Sequence, residues 1–185
     1  MMAISSKYTR RRFVQLAAAG TGSICLLTRC SGDPSSWRFF TADEANLVDA
    51  IAEQIIPSDE WPGGKESGVT NYIDKQLVGP HKRFQSIYQR GLSAVRESCA
   101  ALHNKKYEEL SWDDQTAFLE CMEAGKMEGS AWADGFDRKF FELLRDHCMQ
   151  SYYGSPIHGG NRNKISYKMI GLDYPLIVGQ NRYKT

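Results

Sequence analysis

The sequence predicts an all-α fold: a compact domain of about five helices, closed by an irregular segment rich in Gly, Asn and Tyr. Apolar residues recur at helical spacing in five separate runs. No stretch alternates with the period of a strand, and no long Val/Ile run suggests a buried parallel sheet. Side chains able to cap a helix stand just before the first and fourth of these runs.

The first helix starts at Thr41-Ala42-Asp43-Glu44, where the Thr41 hydroxyl can accept from the backbone of Glu44 while its carboxylate reaches back. Leu47, Val48, Ile51 and Ile55 form its apolar face, and Pro57 stops it. "PSDEWPGGKESG" follows as a loop dense in Pro and Gly. Val69, Tyr72, Ile73 and Leu77 define a second, short helix closed by Gly79-Pro80. Phe84, Tyr88, Val95, Cys99 and Leu102 line a longer third one. Ser111 opens the fourth, which carries Phe118, Leu119 and Met122. Phe136, Phe140, Phe141, Leu144 and Cys148 belong to a fifth. From Tyr152 the pattern changes to "YYGSPIHGGNRNKISYKMIGLDYPLIVGQNRYKT", whose aromatic and aliphatic content predicts a segment packed on its own helices or on another subunit.

The net charge of +1 conceals an asymmetry. Residues 1–30 hold five of the 23 basic residues and no acid, so the remainder has a net charge of −4. No basic stripe follows that would suit phosphates, which argues against a nucleic-acid partner. Thr9-Arg10-Arg11-Arg12-Phe13-Val14 resembles a twin-arginine export signal, with Arg10, Arg11 and Phe13 at its distinctive positions. The uncharged run from Phe13 to Leu27 is shorter than the roughly 20 apolar residues of a membrane-spanning helix and reads as the core of a signal peptide. The expected organisation is a twin-arginine signal over residues 1–30, a linker over 31–38, and one helical domain over 39–185 that includes a docking segment at 152–185. Leu27-Thr28-Arg29-Cys30 is similar to the box before a lipid-modified cysteine, except that Arg29 stands where a small residue is usual; lipidation of Cys30 stays an open alternative. In an exported chain, Cys99, Cys121 and Cys148 could form one bridge with one buried thiol left over, or remain three buried thiols.

The sequence carries little that suits cofactor or metal chemistry. Gly20-Thr21-Gly22 lacks the third glycine and the preceding strand of a dinucleotide loop. There is no Cys-x-x-Cys pair, no haem-attachment motif and no His-Glu-x-x-His spacing, so no cofactor and no metal is expected in this chain. His147 falls on the apolar side of the fifth helix, as a hydrogen-bonded core histidine does. His158 lies in Pro156-Ile157-His158-Gly159-Gly160-Asn161, where paired glycines and an asparagine suit a structural turn. Asp113-Asp114 and Glu108-Glu109 read as solvated caps near helix starts. Tyr152 and Tyr153 offer broad rings with polar tips, as interface residues do.

Three segments carry a resemblance to a known family. These are "FFTADEANLVDAIAEQIIPSD" with its Ile56-Pro57-Ser58-Asp59 turn, "GGKESGVTNYIDKQL" leading to Tyr72-Ile73-Asp74, and "YYGSPIHGGNRNKISYKMIG". Together they are similar to the gluconate 2-dehydrogenase subunit 3 family over nearly all of the chain from about residue 39 to about residue 175. Tyr167 departs from that pattern, standing where Trp is expected. The resemblance implies a periplasmic complex associated with the inner membrane, in which an FAD-containing large subunit of the glucose-methanol-choline type oxidises the substrate. A cytochrome c subunit holding haem c would accept the electrons. This chain would be a subunit without catalytic residues, exported through the twin-arginine translocase and carrying the flavoprotein with it. Its partner interface would involve Tyr152, Tyr153, Pro156, His158, Gly159, Gly160, Asn161 and Tyr167. Two alternatives stay open: an enzyme or cofactor binder in its own right using His158, Asn161 and Tyr153, and a free-standing periplasmic binding protein.

Overall fold

A computed structural model of the chain describes residues 37–172. Among these residues there are seven α-helices and no strand: α1 (Ala42–Ile55), α2 (Gly64–Ser67), α3 (Val69–Leu77), α4 (Gln85–His103), α5 (Trp112–Glu123), α6 (Phe136–Tyr153) and α7 (Ile165–Met169). The five longer helices are those the periodicity predicts. α2 is one turn inside "GGKESG", a stretch expected to be loop, and α7 lies within the closing segment. The export signal residues Arg10, Arg11 and Phe13, together with Cys30, lie outside the described residues, as does the end of the docking segment.

Capping works as the sequence implies. The Thr41 hydroxyl accepts from the backbone N–H of Glu44 at 3.2 Å, and the Glu44 carboxylate accepts from that of Thr41 at 2.8 Å. At α5, the Ser111 hydroxyl accepts from the N–H of Asp114 at 3.2 Å. Glu108 corrects one expectation. It is half-buried and pairs with Arg96, whose guanidinium also reaches Asp43 at 2.9 Å. A carboxylate expected to be a solvated cap therefore helps join the start of α1 to α4.

α6 packs against every other long helix and against α2 and α7. Its buried face, Phe136, Phe140, Phe141, Leu144, His147 and Cys148, follows helical spacing. A column of aromatic rings runs through the core, from Phe40 to Tyr88 (5.9 Å between centroids), Phe140 (5.7 Å), Phe136 (6.0 Å) and Trp132 (6.1 Å). Gly91 makes the α4–α6 approach feasible, since a Cβ there would lie 2.4 Å from the Phe140 ring. Leu102 departs from its expected place on the apolar face of α4: it is 68% exposed, because the last turn of α4 runs beyond the core before Asn104 ends it in a left-handed conformation. Cys99, Cys121 and Cys148 are free thiols; burial pushes those of Cys99 and Cys148 up to about 12, which leaves them protonated and unreactive.

His147 is the hydrogen-bonded core histidine expected from its position. It is 2% exposed, with Nδ1 2.9 Å from the Tyr88 hydroxyl and its ring stacked 4.6 Å from that of His81. Burial first, and then the neighbouring His81, push its titration down to about 4. An unfolded histidine titrates near 6.5. Between these values the unfolded chain takes up a proton that the folded chain does not, so stability is fully present above about pH 6.5 and declines towards pH 4. The expected slope is at most about 1.4 kcal/mol per pH unit, the limit for one proton. Urea midpoints compared at about pH 7 and about pH 5 check this, and His147→Gln should flatten the dependence.

Candidate functional site

The three segments singled out in the sequence come together at one end of the molecule. Glu53, in the last turn of α1, organises the loop that follows. Its carboxylate accepts the N–H of Ser58 at 3.0 Å, the Ser58 hydroxyl at 2.6 Å and the N–H of Lys65 at 3.1 Å. The loop therefore folds back onto α1 and delivers α2, after which Gly68, at φ +85°, turns the chain into α3.

The closing segment is laid over this framework. The Tyr152 hydroxyl donates to the carbonyl of Pro62 at 2.9 Å. The Asn71 amide on α3 donates to the carbonyl of Gly159 at 2.7 Å, and the Lys75 ammonium to that of Ile157 at 3.2 Å. Asn161 is wholly buried. Its amide nitrogen donates to the carbonyl of Gly154 at 2.8 Å, and its amide oxygen accepts the N–H of Ser166 at 3.0 Å. Gly159, Asn161, Asn163 and Lys164 all adopt positive φ, so the backbone winds tightly between the 3₁₀ turns at Pro156–His158 and Arg162–Lys164.

Between these parts lies an open cleft of about 840 Å³, lined among others by Trp37, Asp49, Glu53, Lys65, Thr70 and Arg162. Asp49 accepts the Thr70 hydroxyl, and partial burial raises the titration of its carboxyl against the opposing pull of that hydrogen bond and of Lys65 and Arg162. The cleft mixes both signs of charge and suits polar groups. Its Glu53 carboxylate is already committed to holding the loop. Among the described residues no group of three His, Cys, Asp or Glu side chains is placed to hold a metal ion. No helix among them is long and apolar enough to cross a membrane.

The residues expected at a partner interface divide into three sets, buried, half-buried and exposed. Tyr152, Gly160 and Asn161 face inward and are buried, which corrects their assignment to an accessible surface. Tyr152 and Asn161 spend their polar atoms on hydrogen bonds within the chain, and Gly160 fits closely against Ser151. Gly159 is half-buried beneath Asn71. Tyr153 and His158 are exposed, while Pro156 and Tyr167 are half-buried. The trio His158, Asn161 and Tyr153 does not form a shared polar site, because both ends of the Asn161 side chain are engaged by the backbone of its own segment.

The sequence names Asp74 only within the motif Tyr72-Ile73-Asp74 and gives it no role. This carboxylate is fully buried and accepts the N–H groups of Arg38 (2.9 and 3.0 Å), Phe39 (2.8 Å) and Phe40 (3.1 Å). Residues 37 and 38, placed in the linker by the sequence, are thereby part of the fold, and Trp37 packs on the core. The available signal was a charge on the same helix face as Thr70 and Leu77, both buried.

A family model described as gluconate 2-dehydrogenase subunit 3 matches residues 42–173, from the first turn of α1 to just beyond the last described residue. No curated protein and no solved structure matches the chain. The matched span takes in α1, the Glu53-organised loop, the Asp74 anchor and the Asn161 turn, which together build the end of the molecule described above. The chain belongs to the gluconate 2-dehydrogenase subunit 3 family.

Proposed function

We propose that the chain is the small, non-catalytic subunit of a periplasmic, membrane-associated dehydrogenase complex, and that it assists export, assembly and stability of an FAD-containing large subunit. The carrying observation is the family match across the folded domain. The leader supports the route: Arg10, Arg11 and Phe13 stand in the twin-arginine pattern, and that pathway passes cargo already folded around its cofactor. A flavoprotein that acquires FAD in the cytoplasm leaves the cell interior bound to this chain. A cytochrome c subunit holding haem c completes the complex and takes the electrons. The substrate is set by the large subunit.

The test is co-expression of the full chain with its large subunit. Changing Arg10 and Arg11 to Lys is expected to retain the flavoprotein in the cytoplasm, read as FAD fluorescence and dehydrogenase activity in the periplasmic fraction. Undiminished periplasmic flavoprotein with the double variant overturns the escort role.

A further inference from the structure

We infer that the segment from Tyr153 to Leu172 is a preformed docking face for an apolar surface ringed by carboxylates on the flavoprotein subunit, with Ile157 as its anchor. This rests on the subunit reading above and names the residues and the chemistry of the contact. The sequence draws attention to Gly159-Gly160-Asn161, but the structure turns that motif inward. What the motif does is hold its neighbours outward.

Two observations meet on this segment. Of the eight large apolar side chains exposed among the described residues, four lie here: Tyr153 (48%), Ile157 (74%), Ile170 (57%) and Leu172 (36%). The charge of the segment is opposite to that of the body. Residues 31–151 hold thirteen basic and twenty-one acidic side chains, whereas residues 152–172 hold Arg162, Lys164 and Lys168 and no acid. Arg162 lines the cleft beside Asp49, which leaves half-buried Lys164 and exposed Lys168 as the cations of this stretch. A net negative protein that gathers exposed isoleucines and these lysines on twenty consecutive residues presents a surface suited to an acidic, apolar counterpart.

The face is also rigid. Ile157 sits on a 3₁₀ turn whose carbonyl is held by Lys75 and whose following glycine is held by Asn71. Arg162 and Lys164 belong to the next turn, which packs on α7 and on the Pro156–His158 turn. Side chains presented on a backbone already fixed by internal hydrogen bonds lose little further freedom on binding. An anionic lipid surface is the other class of occupant, but Lys164 and Lys168 contribute only about 1 kcal/mol each there, too little for a stable hold.

The test measures binding of the purified flavoprotein subunit to the folded chain and to variants, with anionic phosphatidylglycerol vesicles as a second arm. Ile157→Asp is expected to weaken the complex by at least about tenfold, as truncating a central anchor does. Lys168→Glu is expected to weaken it less and to reduce its sensitivity when salt rises from about 0.05 to about 0.5 M. Leu102→Asp, an exposed position at the end of α4, is expected to leave binding within about twofold. All three positions are exposed, so circular dichroism should show folded proteins. A complex that forms normally with Ile157→Asp and Lys168→Glu overturns the docking face and leaves the subunit reading standing. Native chain that captures no flavoprotein overturns both. Vesicle binding that these variants abolish, beside an unaffected complex, assigns the face to lipid and also overturns the inference.

Discussion

Replacing Asp74 by Ala is expected to destabilise the domain by more than about 2 kcal/mol, since each hydrogen bond to a charged acceptor contributes about 1.5–3 kcal/mol. The carboxylate receives three successive backbone N–H groups, and the Arg38 guanidinium stands 3.6 Å away. Successive amides converging on one carboxylate oxygen form an anion-binding cradle. Without it, the buried N–H of Phe40 has no acceptor, at a cost of about 1–3 kcal/mol, and the chain must shift to hydrate those of Arg38 and Phe39. Shifting them draws Phe40 away from Tyr88, at the head of the aromatic column. Asp74→Asn should cost less than Asp74→Ala, because its amide oxygen can replace Oδ1, which accepts from all three N–H groups, while its amide nitrogen conflicts only with the Arg38 donors that Oδ2 faces. Arg38→Ala, by contrast, should cost less than about 1 kcal/mol, since that guanidinium is half exposed. Urea midpoints at constant slope measure all three. An Asp74→Ala protein within about 1 kcal/mol of native would show that the cradle contributes little.

The same residue shows what could and could not be read from the chain. Helical spacing located α1, α3, α4, α5 and α6 because the apolar stripe that faces a core is a local pattern, repeated within each element. Capping at Thr41 and Ser111 was legible for the same reason: donor and acceptor are three residues apart. Asp74 and the amides it holds are more than thirty residues apart, and nothing near either end reveals the other. Glu53 is intermediate. Its loop was legible from Pro57 and the glycines, but the carboxylate that folds the loop back is an unremarked charge on the preceding helix. The closing segment was recognisable by its composition and by its family-like motif, neither of which orients its side chains. Its aromatic and aliphatic residues implied packing, yet only the fold separates Tyr152, which donates to Pro62, from Tyr153, which faces outward. Adjacent residues of one type can serve the core and the surface, and in a tightly wound stretch no periodicity tells them apart.

Gly160→Ala is expected to detach that closing segment while leaving the helical body folded. A Cβ at position 160 would lie 2.1 Å from the Ser151 hydroxyl oxygen and 2.6 Å from the Ser151 carbonyl oxygen. The hydroxyl could rotate away, but the carbonyl belongs to the backbone of α6 and cannot. The segment must therefore lift, which strains the two hydrogen bonds of Asn161 and the contact between Asn71 and Gly159. Overpacking of this kind costs about 1–3 kcal/mol. The loss should be local, because the segment is held to the body by a few hydrogen bonds and the core column does not run through it. Hydrogen exchange is the suitable measurement: amides of residues 158–170 should lose protection, while those of α4 and the middle of α6 keep it. The double variant Ser151→Ala with Gly160→Ala should recover only part of the protection, since the hydroxyl conflict is removed and the carbonyl conflict remains. Full recovery would place the strain on the Ser151 hydroxyl alone and overturn the conflict with the α6 carbonyl. Partial recovery, with flavoprotein binding lost in proportion to exchange, would tie the small residue buried beneath the segment to the apolar and cationic side chains it presents above.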